Sequence, residues 1–275
     1  MALGSLLKRY IFALVLFMLL TDACGSGFPK QLFPELPSAL YPTVTGRGLR
    51  DCFVNQASLA TIQHPAAGIT FHSRFGVSEL SVKSAALILP ANNGTFAITY
   101  YNRGIPDLMY HSFAASAGKK LSDLLSFGVE AGLNAAIAPA TDMRHLTATC
   151  EAGVIISPGD KLKIGLHVTN PIPNSLRSYP LASSIKAGAE SIISDRVSIS
   201  LHFEKASMQP LSISTGFSYK AAEAVVIRAG YTSSTSSFGF TFGYSFGRYD
   251  TELSFLTHTR LGLSSVASLF ASLRK

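Results

Sequence analysis

The sequence predicts an all-β fold: a transmembrane antiparallel up-and-down β-barrel of about 14 strands, preceded by a short N-terminal plug-like segment. Three observations predict it. Apolar and polar residues alternate along most of the chain, most cleanly at Phe238, Phe240, Phe242, Tyr244 and Phe246, with Gly239, Thr241, Gly243 and Ser245 between them. Successive side chains of a strand point to opposite faces, so this stretch has one aromatic face and one nearly bare face. The chain of 275 residues is 47% hydrophobic and only 14% charged, where an ordinary soluble domain has about a quarter charged. It opens with Lys8 and Arg9, the apolar run 10–20, and then Thr21, Asp22, Ala23 and Cys24.

That opening has the shape of a secretory signal peptide over residues 1–24. Its apolar run is too short for a bilayer, which takes about 20 residues. Acylation of Cys24 is a second reading, against which Thr21 stands where such a signal usually has Leu. No other segment offers about 18 uninterrupted apolar residues. An exported, charge-poor chain of this kind crosses a membrane by strands.

Residues 25–66 do not alternate. The part 28–41 is rich in proline and reads as extended, while 46–60 reads as a short helix and a loop. A barrel of this size with small inward side chains has room for such a segment. Asn55, Gln56 and Leu59 are then a candidate plug loop; a mobile periplasmic tail is the other placement.

The barrel itself reads as residues 67–275. Ile69 and Phe71 open the first strand, the second covers 80–89, the third has Phe96, Ile98 and Tyr100 on one side, and the fourth runs over 108–117. The fifth sets Leu125, Phe127, Val129, Ala131 and Leu133 against Ser126, Gly128, Glu130 and Gly132. The sixth sets Leu146, Ala148, Cys150, Ala152 and Val154 against Thr147, Thr149, Glu151 and Gly153. In the seventh, Leu162, Ile164, Leu166 and Val168 alternate with Lys163, Gly165, His167 and Thr169. The eighth pairs Ile185, Ala187 and Ala189 with Lys186, Gly188 and Glu190; the ninth pairs Val197, Ile199, Leu201 and Phe203 with Ser198, Ser200, His202 and Glu204. The tenth carries Leu211, Ile213, Phe217 and Tyr219, the eleventh Val225, Ile227, Ala229 and Tyr231 around Arg228 and Gly230. The aromatic run is the twelfth, Leu253 and Phe255 mark the thirteenth, and 261–273 is the last. Strands of about ten residues suit a tilted membrane crossing.

Connection lengths carry independent information. Tight polar turns follow the even-numbered strands, as at 90–94, 118–123, 157–161, 194–196, 220–223 and 247–250. Longer connections follow odd-numbered strands, as at 102–107, 138–144 and the proline-rich 170–180. Barrels of this type have short periplasmic turns and longer outer loops, so both ends fall on the periplasmic side and the strand number is even. A soluble β-sandwich also alternates, but its wet faces carry many charges, whereas these are largely Ser, Thr and Gly.

The chain has no Trp; Tyr100, Tyr101, Tyr110, Tyr219, Tyr231, Tyr244 and Tyr249 could supply the interfacial aromatic girdles. Three cysteines make no disulfide framework. Cys52 and Cys150 could pair, but Cys150 between Ala148 and Ala152 reads as a free, buried thiol. No CxxC pair or His/Cys cluster has metal-ligand spacing.

The order of a Gly-Arg-Gly segment, Asn55-Gln56-Ala57-Ser58-Leu59-Ala60, a hairpin containing Lys119-Lys120-Leu121-Ser122, and the run 160–171 is similar to a family. It resembles the Bacteroidota outer-membrane barrels related to PorV of the type IX secretion system, which belong with the long-chain fatty-acid transporter type. Gln56 and Ser58 depart from that family's Pro and Gly, and the C-terminal 270–275 lacks the usual final aromatic residue. The resemblance implies an accessory or structural partner of a type IX-like secretion or assembly system. Its alternative is a transporter of hydrophobic or small amphipathic solutes across the outer membrane of a Gram-negative bacterium.

No residue grouping suggests catalysis. No nucleophile stands at a glycine-flanked strand-to-helix turn, and no glycine-rich stretch precedes a helix. No cofactor is expected. The net charge of +7 is dispersed among turns and strands, which does not suggest nucleic acid. The expected partners are outer-membrane lipid and either secretion-system proteins or a hydrophobic ligand. The candidate lumen charges are Lys83, Glu130, Glu151, Lys163, Lys186, Glu190, Glu204 and Arg228. They read first as cross-strand ion pairs that stiffen the lumen and second as a polar solute pathway.

Overall fold

A computed structural model describes residues 44, 45, 49, 53–139, 143–171, 183–207 and 209–273. The signal-peptide stretch, Cys24, Cys52 and the proline-rich runs 28–41 and 172–180 lie outside the described residues.

Fourteen antiparallel strands form one closed barrel. They are β1 Ala66–Arg74, β2 Val77–Ala91, β3 Gly94–Ile105, β4 Leu108–Lys120, β5 Leu125–Ala138, β6 Met143–Gly159, β7 Leu162–Thr169, β8 Ser184–Ser194, β9 Val197–Ala206, β10 Ser212–Ala222, β11 Val225–Thr232, β12 Ser237–Phe246, β13 Tyr249–His258 and β14 Gly262–Ser272. Each strand pairs with its neighbours in sequence, and β1 closes the ring on β14 in the register Ala66↔Ser272 to Ser73↔Ser265.

The alternation places apolar residues outside and small ones inside. On β12 the five aromatics at 238, 240, 242, 244 and 246 are exposed, while Gly239, Thr241 and Gly243 are buried. The same outward face carries Ile69, Phe96, Phe113, Leu133 and Leu146, the last 68% exposed. A closed barrel wrapped in that much apolar surface is soluble in lipid and not in water. Inside, near the short-turn end, Leu59 packs with Ala66, Ile88 and Ala97 in an apolar cluster.

Three expectations change. The connection 102–107 is mostly strand: β3 continues to Ile105, Asn102 stands opposite His111, and only Pro106 and Asp107 turn the chain. Polar residues there mark a strand that continues past the apolar belt, not a loop. Cys150 is free but exposed, because an apolar barrel face has no protein layer over it. Tyr101 and Tyr110 sit on the inward-facing phase of their strands, with Tyr101 buried and the Arg103 guanidinium 5.1 Å from the Tyr110 ring centre, so neither belongs to a girdle.

Phe242→Arg, at the middle of the lipid face, is expected to destabilise the barrel by about 2–4 kcal/mol, and Tyr249→Arg at a strand end by about 0–1 kcal/mol. Equilibrium unfolding by denaturant from lipid vesicles measures both; equal costs would refute the assignment of the faces.

Candidate functional site

The inner wall of one side of the barrel is missing side chains along a line. Gly118 on β4 stands opposite Gly128 on β5, which stands opposite Gly153 on β6, and Gly165 follows on β7. A Cβ at any of the four would come closer than 3.0 Å to the N-terminal segment: to Gln56 O at Gly118, the Gln56–Ala57 peptide at Gly128, Asn55 Oδ1 at Gly153 and Val44 O at Gly165. Contacts that short do not occur, so only glycine permits this approach. Residues 53–61 therefore lie inside the barrel, and Asn55, Gln56 and Leu59 are fully buried.

The segment folds locally around Asn55. A 3-10 helix spans Gln56–Thr61, and Asn55 caps it by accepting from Ala57 N at 3.1 Å. The same side chain donates through Nδ2 to Val44 O at 2.7 Å, with Val154 O and Leu166 O each 3.3 Å away on β6 and β7. One amide thus joins two parts of the segment to the wall.

Gln56 meets the charged part of the wall. Glu130 and Glu151 stand directly opposite each other on β5 and β6, an arrangement of like charges that is unfavourable on its own. Gln56 Nε2 donates to Glu151 Oε2 at 2.9 Å and to Glu130 Oε2 at 3.3 Å. Its Oε1 lies 3.1 Å from His167 Nε2, which is also 3.0 Å from Glu151 Oε2. Since an amide oxygen only accepts, His167 bears a hydrogen on Nε2.

The polar groups continue around the wall. His167 stands opposite Lys186, and Lys186 opposite Glu204, with Lys186 Nζ 3.3 Å from Glu204 Oε1. Glu190, nearly inaccessible to solvent, accepts from Ser198 Oγ at 3.0 Å and from Thr45 Oγ1 at 3.3 Å, and stands opposite Lys163. On the far side Arg228 on β11 pairs with Glu252 on β13, reaching past β12 where Gly243 leaves room.

Seven of the eight candidate lumen charges, Glu130, Glu151, Lys163, Lys186, Glu190, Glu204 and Arg228, occupy inward positions. Lys83 does not. It stands opposite Phe71, is exposed, and faces outward. β2 is apolar on both faces, because Val82 and Ile88 are buried inside while Leu87 and Leu89 are exposed outside, so its alternation does not fix the phase. Glu252 is not among the sequence candidates, although its position next to Leu253 gives the phase, and His167, on the polar face of the seventh strand, carries no sign of its partners in the sequence. Thr45 carried no signal.

Gly153→Val is expected to displace Asn55, and Gln56→Ala to leave two facing carboxylates without their shared donor, at a cost of about 1–3 kcal/mol. In both variants hydrogen exchange should accelerate at 55–61 while β5 and β6 stay protected. Unchanged exchange in both would show that these contacts do not hold the segment.

No protein-family model and no curated protein sequence matches the chain. Solved structures do. The P. putida toluene transporter TodX superposes with a TM-score of 0.67 at 8% identity, covering 88% of this chain and 99% of that one. The CymD monoaromatic hydrocarbon channel gives a TM-score of 0.64 at 12% identity over 83% of this chain and 94% of that one. A Pseudomonas aeruginosa FadL homologue gives 0.57 at 13% identity over 87% of this chain and 94% of that one. These likenesses fix the architecture: a closed 14-strand barrel of the kind seen in the FadL-like outer-membrane proteins.

Proposed function

We propose that this chain is an outer-membrane barrel of a Gram-negative bacterium that passes small hydrophobic solutes across that membrane. The observation that carries the reading is the filled interior. The described wall holds a chain segment through Asn55 and Gln56, with a glycine line fitted to its main chain and to the Asn55 side chain. An open water-filled porin has no use for such an arrangement. The apolar outer face suits a bilayer, and the similar structures are described as a toluene transporter and a monoaromatic hydrocarbon channel. These are channels and transporters, which supports a non-enzymatic role. The alternative of a type IX secretion partner rests on sequence resemblance alone, and the transporter reading takes precedence over it.

The test is uptake by vesicles holding the full-length protein. Toluene or a medium-chain fatty acid should enter faster than into empty vesicles, while planar bilayers show little ion conductance. Asn55→Ala combined with Gln56→Ala should raise that conductance by loosening the segment. Porin-like conductance in the unmodified protein, or no uptake together with co-purification of secretion components, would overturn the reading.

A further inference from the structure

Polar side chains interrupt the outward apolar face at one level on three adjacent strands. Lys83 on β2 stands opposite Asn102 on β3, and Asn102 opposite His111 on β4. The stretches 83–91, 94–102 and 111–120 join these residues to the short turns at the other end. Each has about the 9–11 residues with which a tilted strand crosses hydrocarbon. Within those stretches the outward residues include Ala85, Leu87, Leu89, Phe96, Ile98 and Phe113. The three polar residues therefore mark the outer margin of the lipid belt.

The cluster is built, not incidental. Tyr100 Oη lies 2.8 Å and Asn102 Nδ2 3.3 Å from His111 Nδ1. An amide nitrogen only donates, so Nδ1 accepts and the neutral ring carries its hydrogen on Nε2. Tyr100 packs against Phe113 at 4.6 Å and stacks on His111 at 6.1 Å, fixing the imidazole on the barrel wall. Among the described residues neither Lys83 Nζ nor His111 Nε2 has a hydrogen-bond or ion-pair partner. Glu79, two outward positions above Lys83, is bonded by Ser78 at 2.9 Å instead.

A cation and a fixed N–H donor, two strands or about 10 Å apart, thus stand unused where lipid headgroups lie, above an apolar wall. We propose that Lys83 and His111, with Asn102 between them, bind the anionic phosphate of an outer-leaflet lipid whose acyl chains run down over Leu87, Ile98 and Phe113. The chemistry is charge complementarity with a lysine at the interface and a charge-assisted hydrogen bond from the imidazole. The proposal rests on the membrane reading but not on transport, so it stands or falls separately from solute uptake.

Native mass spectrometry of the full-length protein with bis-phosphorylated lipid A, and with the same lipid after enzymatic removal of its phosphates, tests it. The unmodified protein should retain the phosphorylated form about tenfold better. Lys83→Gln combined with His111→Phe, which keeps the ring stack, should abolish that preference, while Lys119→Gln at the opposite margin leaves it intact. Equal retention of the two lipids by the unmodified protein would overturn the proposal even if the double variant failed to fold. So would a preference that survives in a folded double variant.

Discussion

In hydrocarbon no water satisfies a peptide group, so every backbone N–H and C=O must be bonded within the protein. The rest of this structure follows from that constraint. It requires that β1 find β14, and the ladder from Ala66↔Ser272 to Ser73↔Ser265 supplies the closing pair. The joint is extended past the strand ends by Leu273 N donating to Pro65 O at 2.7 Å. Closure fixes a strand count and a stagger, and these fix an internal volume. Whatever lines or fills that volume is then a consequence of the ring.

The interior answers the volume in two ways. On β10–β14 small hydroxyls bond one another, as Thr241 does with Ser254 at 2.9 Å and Ser214 with Thr232 at 3.0 Å. On β4–β7 the wall recedes to glycine and the chain's own N-terminal segment takes the space. Ile88 belongs to this second device: it turns an apolar side chain inward to meet Leu59. It is also the reason the phase of β2 misleads.

All fourteen strands were legible because lipid on one side and small residues on the other make a strong period of two. Legibility failed where that contrast failed. On β2 both faces are apolar, so Lys83 reads inward when it faces out. Beyond the belt the outer face turns polar, so the end of β3 reads as loop although its ladder continues through Arg103↔Tyr110. The glycine line is invisible in one dimension: Gly118 reads as a turn residue and Gly128 and Gly153 as ordinary lumen positions. Only the registers Gly118↔Gly128 and Gly128↔Gly153 align them beneath Asn55 and Gln56.

The choice of an amide at position 56 bears on how firmly the segment is held. A lysine there would neutralise Glu130 and Glu151 more fully, but it has no acceptor for the His167 N–H. A glutamate could accept from His167 but would add a third carboxylate to the pair. Gln56 alone does both, donating to the carboxylates at 2.9 and 3.3 Å while accepting at 3.1 Å. The contact is therefore made of hydrogen bonds to carboxyl groups and an imidazole, each contributing about 0.5–3 kcal/mol. Among the described residues it contains no ion pair between segment and wall, whose rupture when buried costs about 3–5 kcal/mol. Asn55 follows the same logic, since its partners at Val44, Val154 and Leu166 are all neutral carbonyls. The wall also pairs charges within itself, in Lys186–Glu204 and Arg228–Glu252, and is met by the segment at these two residues with neutral amides. Among the described residues, then, continuous ladders close the ring and a few side-chain hydrogen bonds hold the insert, two levels at which local opening is expected to differ.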